Sequence, residues 1–204
     1  MLISLNIFLI SLYFILYHFQ KKIIFKLVQE DGIVENIQAL LFLMAAIAMF
    51  IPLIKKKFKM PSWQSHLWGG AFLFVFLEEV SYGQRLFGWR WTWLQANNHQ
   101  YETNLHNMLP LYGNVNAYLY FILAIAIIIP LLEYWGEKRG YWGKFLGDGK
   151  FIGVSLFLGG FYLALPKNKH PFFYEYTELM IALNFVLLIW EHYKLGDHRL
   201  GMSS

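Results

Sequence analysis

The sequence predicts an all-α fold: a polytopic transmembrane helical bundle of about six spans, with an interfacial or re-entrant segment after the third. Three observations carry that expectation. Of 204 residues, 57% are hydrophobic and 15% charged, against roughly 45–50% and 25% in soluble domains. Apolar runs of spanning length alternate with short polar or basic stretches. Eight Trp and thirteen Tyr suit the membrane–water interface, where an aromatic ring can meet lipid and water at once.

The first span, residues 2–19, has no basic residue before it and no small-residue cleavage site after it, so it reads as retained rather than as a signal peptide. Residues 20–32 read as a short loop carrying Lys21, Lys22 and Lys26. The second span, 33–54, begins in a polar turn in which Asp31, Glu35 and Gln38, at i, i+4 and i+7, share a helix face. Glu30 and Asp31 suit a helix N-terminus in any case, whereas Glu35 and Gln38 lie deeper and are candidate substrate-binding residues.

Lys55, Lys56, Lys57 and Lys59, between Pro52 and Pro61, form a basic loop ahead of the third span, 66–87. That span ends in Glu78-Glu79-Val80-Ser81-Tyr82-Gly83-Gln84-Arg85. Residues 89–110 are too polar to span and read as interfacial, with Trp89, Trp91 and Trp93 at headgroup level. The fourth span, 111–135, is kinked or ended by Pro130. The fifth, 151–165, carries Gly153, Gly159 and Gly160, which permit close helix approach. The sixth, 172–193, has Glu175 and Glu178 in its first turns. No internal repeat supports a transporter built from inverted halves. The chain thus reads as one transmembrane domain.

Six spans send alternate loops to opposite sides, and eight of the thirteen acidic residues fall on one of them: Glu30, Asp31, Glu35, Glu78, Glu79, Glu102, Glu175 and Glu178. That side holds 7 Lys and Arg and the other holds 10, so the positive-inside rule puts the acidic face outside, although Lys21-Lys22 after the first span pulls the other way. The absence of Cys excludes disulfides, thiolate metal sites and cysteine nucleophiles. The net charge of +4 lies mostly in Lys clusters between apolar runs, which favours membrane lipid as a partner and not nucleic acid.

A carboxylate at hydrocarbon depth costs roughly 2.5–3.5 kcal/mol, so Glu78 and Glu79 need a partner, a watery cavity or an ion. On a continuous helix Glu78, Ser81, Tyr82 and Arg85 share a face, and a Glu78–Arg85 pair neutralises itself. Glu79 points about 100° away, toward Gly83 and Leu86, and is left to be satisfied by Arg90, a His or a metal. Glu78, Glu79 and Arg85 are the candidate catalytic residues, Arg85 binding an anionic headgroup. His99, Glu102 and His106, at offsets 0, 3 and 7, form a candidate ligand set for a divalent metal such as zinc. The same histidines also suit an interfacial loop that bonds backbone and headgroups. Asn104 and Asn107 join Glu35, Gln38 and Glu178 as candidate substrate-binding residues.

Glu-Glu-x-Ser-x-Gly-Gln-Arg and Asn-Leu-His-Asn resemble motifs of bacterial multi-pass proteins, over about residues 78–107, a resemblance that brings no activity with it. It implies an integral protein of the bacterial inner (cytoplasmic) membrane. The acidic pair followed by Arg is similar to the first motif of CAAX-type intramembrane proteases, with five intervening residues where that family has three. That family's His-x-x-x-Asn is missing, since Thr103 follows His99 by four residues and Pro110 follows His106 by four. The alkaline ceramidase superfamily is similar in being a small bundle with carboxylate and His motifs, but its terminal His-x-x-x-His is absent. Two functions follow as expectations. One is a metal-dependent hydrolase or transferase acting on a lipid or lipid-linked substrate; the other is a non-enzymatic binding or transport component for a cation or amine.

Overall fold

The structure, a computed structural model, describes residues 2–28, 32–51, 60–98, 101–105 and 173–200, with single positions at 128, 132, 133, 135, 136, 138, 139 and 158. Every regular element of two or more residues among them is helical. Helix α1 (Leu2–Phe19) coincides with the predicted first span, and buries Leu2, Asn6, Ile10 and Tyr13 along one stripe. The stretch after it is not the expected loop. Lys21–Val28 forms α2, because Ile24 and Val28, one turn apart, are buried while Lys21, Lys22 and Lys26 stay exposed. The Lys21 ammonium lies 5.3 Å from the ring centres of both Tyr17 and Phe25.

Helix α3 (Ile33–Phe50) realises the second span, ending where Ile51 turns extended ahead of Pro52. Val34, Gln38, Phe42, Ala45 and Met49 face inward, while Ile33, Ile37, Leu40, Met44 and Ile47 form an exposed apolar stripe. Both α1 and α3 are long and apolar enough to cross a membrane. They are the two described helices that meet both requirements. The fourth and fifth predicted spans lie outside the described residues apart from single positions.

The third predicted span requires correction. Helix α4 (Ser62–Glu79) starts directly after Pro61 and stops eight residues before Phe87. Ser81 (φ 48°), Tyr82 (φ 52°) and Gly83 (φ 83°) are all left-handed, a run that no right-handed helix accommodates. A Cβ at Gly83 would also come within 3.1 Å of the Phe87 ring. Ser81–Gly83 makes a short 3₁₀ turn, followed by α5 (Gln84–Phe87) and α6 (Thr92–Ala96). Trp89, Trp91 and Trp93 are exposed, as expected of an interfacial stretch. The last helix, α7 (Phe173–Leu200), is 28 residues long and outruns the predicted span at its C-terminal end.

Helix α3 packs between α4 and α7. Its Phe42, Ala45, Ala46 and Met49 meet Phe72 of α4 and Ala182, Leu188 and Ile189 of α7. Phe72 and Phe185 meet edge to face at 4.8 Å. Gly69 allows the closest approach of α3 to α4, for a Cβ there would lie 2.8 Å from the Phe50 ring. Helix α1 joins α7 through Tyr13, which lies 4.9 Å from the Phe173 ring and 5.2 Å from that of Tyr176. The Tyr176 hydroxyl donates to the Leu9 carbonyl at 3.1 Å. Such dispersion contacts and hydrogen bonds hold the helices together.

Candidate functional site

Two polar groupings meet where α4 ends, and they divide the acidic pair. Consecutive helical residues point about 100° apart, so Glu78 and Glu79 cannot face the same neighbours.

Glu78 is buried, and its Oε2 accepts the Leu105 backbone N–H at 2.7 Å. The Tyr82 hydroxyl also pairs with it. Around it residues 81–98 and 101–105 are joined by hydrogen bonds. The Ser81 hydroxyl donates to Glu102 Oε2 at 3.1 Å, and the Asn104 amide donates to the same oxygen at 2.6 Å and to Ser81 Oγ at 3.4 Å. The Asn98 amide donates to Asn104 Oδ1 at 2.6 Å and to its carbonyl at 2.9 Å. The Thr103 N–H reaches Gln84 Oε1 at 2.7 Å, and the Trp89 indole donates to the Tyr82 carbonyl at 2.9 Å. Left-handed Ser and Tyr residues cost of order 1–3 kcal/mol each and persist only where their surroundings hold them. This network is what holds them.

Glu79 is half-buried and looks the other way. It lies within electrostatic reach of Glu178, Glu35 and Glu175, in that order of strength, and beside the Gln38 amide. Gln38 is 1% exposed; its Nε2 donates to Glu178 Oε2 at 3.1 Å, while its Oε1 is buried with no hydrogen-bond partner among the described residues. Five polar side chains from α3, α4 and α7 thus form one acidic cluster. Four of them are carboxylates, whose mutual repulsion calls for protons or a cation in their midst.

Of the predicted site residues, the structure brings Glu35, Gln38, Glu79 and Glu178 together. It separates Glu78 from them and places Asn104 and Glu102 in the loop network. The one-face alignment of Glu78, Ser81, Tyr82 and Arg85 does not form, because the helix breaks between them. The described neighbours of Glu79 are carboxylates and an amide. The Arg85 side chain, His99, His106 and Asn107 lie outside the described residues, so of the expected metal ligands Glu102 alone is placed. Among the described residues no three His, Asp or Glu side chains stand at metal-binding spacing.

The sequence reading passed over Gln84, Asn98 and Thr103 as site residues, and also two amide contacts between helices. Asn6 and Asn184 exchange reciprocal bonds, both at 3.0 Å, and Gln64 Nε2 donates to Glu133 Oε1 at 3.2 Å between fully buried side chains. Asn184 stood as a lone polar residue within an apolar run, whereas Gln64 lies among Ser62, Ser65 and His66 and carried no such signal. Comparison with models of protein families, with curated proteins and with solved structures finds no match to this chain.

Proposed function

We propose that this chain is a membrane-embedded hydrolase or transferase acting on a lipid or lipid-linked substrate, with Glu79 as its acid/base residue. In this reading the bundle has about six spans and holds its acidic cluster at one membrane face. The observation that carries it is the division of the pair: Glu78 is occupied in fixing the loop, while Glu79 faces Glu178, Glu35 and Gln38 from two other helices. Neighbouring carboxylates that share protons supply acid and base to one reaction centre. The strained Ser81–Gly83 turn fixes where α4 ends, and hence where Glu79 stands. The exposed lysines of α2 suit anionic headgroups beside the bundle.

The test uses the full chain in nanodiscs of bacterial total-lipid extract, with products read by mass spectrometry. Wild type is expected to consume one lipid class, and Glu79→Gln to slow that step by about 10²–10⁴-fold, the usual contribution of a positioned acid/base group. Identical lipid profiles with wild type, variant and empty nanodiscs would overturn the proposal. Topology is tested separately in this cysteine-free background, where single cysteines at Lys57 and Lys144 should label from the same side and one at Lys167 from the other.

A further inference from the structure

No Asp or Glu precedes Glu30 in the chain, and that stretch holds three lysines. All three lie on the exposed side of α2, while Ile24 and Val28 are buried against the bundle. They are not equivalent. The Lys21 ammonium already rests against the Tyr17 and Phe25 rings, 5.3 Å from each centre. Lys22 and Lys26 are one turn apart on a single helix face, with Cβ atoms about 5–6 Å from each other. Like charges at that spacing destabilise a helix, and an anion seated between them reverses the sign.

The surface leading to this pair is apolar. Ile3, Ile7, Ser11, Ile15 and Phe19 follow one another at i, i+4 along the exposed side of α1. Ser11, the polar member of the row, turns its hydroxyl back to the Ile7 carbonyl at 2.8 Å. The row ends at Phe19, two residues before Lys21. A soluble anion would use the lysines and leave the apolar row uncovered, and an acyl chain alone would do the reverse. An anionic phospholipid matches both, with its charge at the boundary and its tails in the hydrocarbon layer.

We propose that α2 and the end of α1 form a seat for one anionic phospholipid, its phosphate between Lys22 and Lys26 and an acyl chain along Ile15 and Phe19. This rests on the proposed function in placing the chain in a membrane, and it names a bound lipid partner with a defined place on the surface. Lysine suits the role, since an ammonium on a flexible stem meets phosphate as a point charge while its methylenes stay in apolar contact.

The full chain, purified in detergent, is mixed with equimolar phosphatidylglycerol and phosphatidylcholine of the same acyl chains, and bound lipids are counted by native mass spectrometry. A lysine at the membrane surface favours an anionic headgroup about fivefold, so wild type should hold phosphatidylglycerol over phosphatidylcholine by roughly thirtyfold. Lys22→Gln with Lys26→Gln should remove that preference, and Lys22→Arg with Lys26→Arg should keep it. Lys138→Gln with Arg139→Gln takes the same charge from another exposed stretch and should leave the ratio unchanged. Glycerol 3-phosphate, which has the charge without the tails, should not displace the lipid at equal concentration. Equal occupancy by the two lipids in wild type, an equal loss of preference in the Lys138 and Arg139 variant, or displacement by glycerol 3-phosphate would overturn the proposal. Should the double Gln variant fail to fold, the wild-type ratio and Lys22→Gln alone, expected to lower it about fivefold, decide it instead. Anionic preference without lipid turnover would sink the hydrolase or transferase reading alone, and Glu79-dependent turnover without that preference would sink this inference alone.

Discussion

Two buried amide arrangements face α7, and they are built to opposite ends. Asn6 of α1 and Asn184 of α7 exchange both side-chain bonds at 3.0 Å, and each Nδ2 also donates at 2.8 Å to the carbonyl four residues before it. Every donor and acceptor of that pair is used. Gln38 of α3 is as deeply buried and donates to Glu178, while its oxygen meets no donor among the described residues. A closed polar contact joins helices, whereas the open one stands beside mutually repelling charges. The adjacent glutamates differ in direction: Glu78 is tied to its loop through Oε2, while Glu79 faces carboxylates of two other helices.

The contrast is broken most severely in the loop. Asn104→Leu removes the donor to Glu102, the donor to Ser81 and the acceptor of Asn98, so it should cost about 3 kcal/mol and release the left-handed turn. At about 2–4 °C per kcal/mol for a chain of this size, thermal unfolding in detergent should fall by roughly 6–12 °C. Asn184→Leu should cost about 1 kcal/mol, since interhelical hydrogen bonds in membranes average somewhat less than that and Asn6 is left unmatched. The double variant Asn6→Leu with Asn184→Leu should cost less than the sum of the two single changes, measured as a thermodynamic cycle. Gln38→Leu should be smallest, within about 1 kcal/mol of wild type, because it removes an unmet acceptor along with one hydrogen bond. A loss as large as that of Asn104→Leu would show that Gln38 is a closed contact after all.

Much of this arrangement was legible in the sequence, and the illegible parts have physical causes. Helix spacing alone put Glu35 and Gln38 on one face and turned Glu79 away from Glu78, because 3.6 residues per turn is a local rule. The alternation of apolar runs and polar loops put Glu178 at the same depth. The break after Glu79 was not legible: Gly83 was the one local sign, and Ser81 and Tyr82 become left-handed only because Glu102, Asn104 and Trp89 hold them from as far as 23 residues away. Helix α2 was missed because its apolar stripe is just Ile24 and Val28 among lysines. The Asn6–Asn184 pair spans 178 residues of chain, and pairing at that range depends on helix packing that no local pattern encodes.

The central claim is that the adjacent glutamates do opposite work, Glu78 fixing the fold and Glu79 serving the acidic cluster. Thermal unfolding of Glu78→Ala and Glu79→Ala, measured side by side in the same detergent, tests it most directly. Glu78→Ala strips the Leu105 N–H and the Tyr82 hydroxyl of a charged acceptor and should cost about 3 kcal/mol, lowering the midpoint by roughly 6–12 °C. Glu79→Ala removes one of four repelling carboxylates and should leave the midpoint unchanged or raise it. Equal losses in the two variants, or a larger loss for Glu79→Ala, would contradict the account.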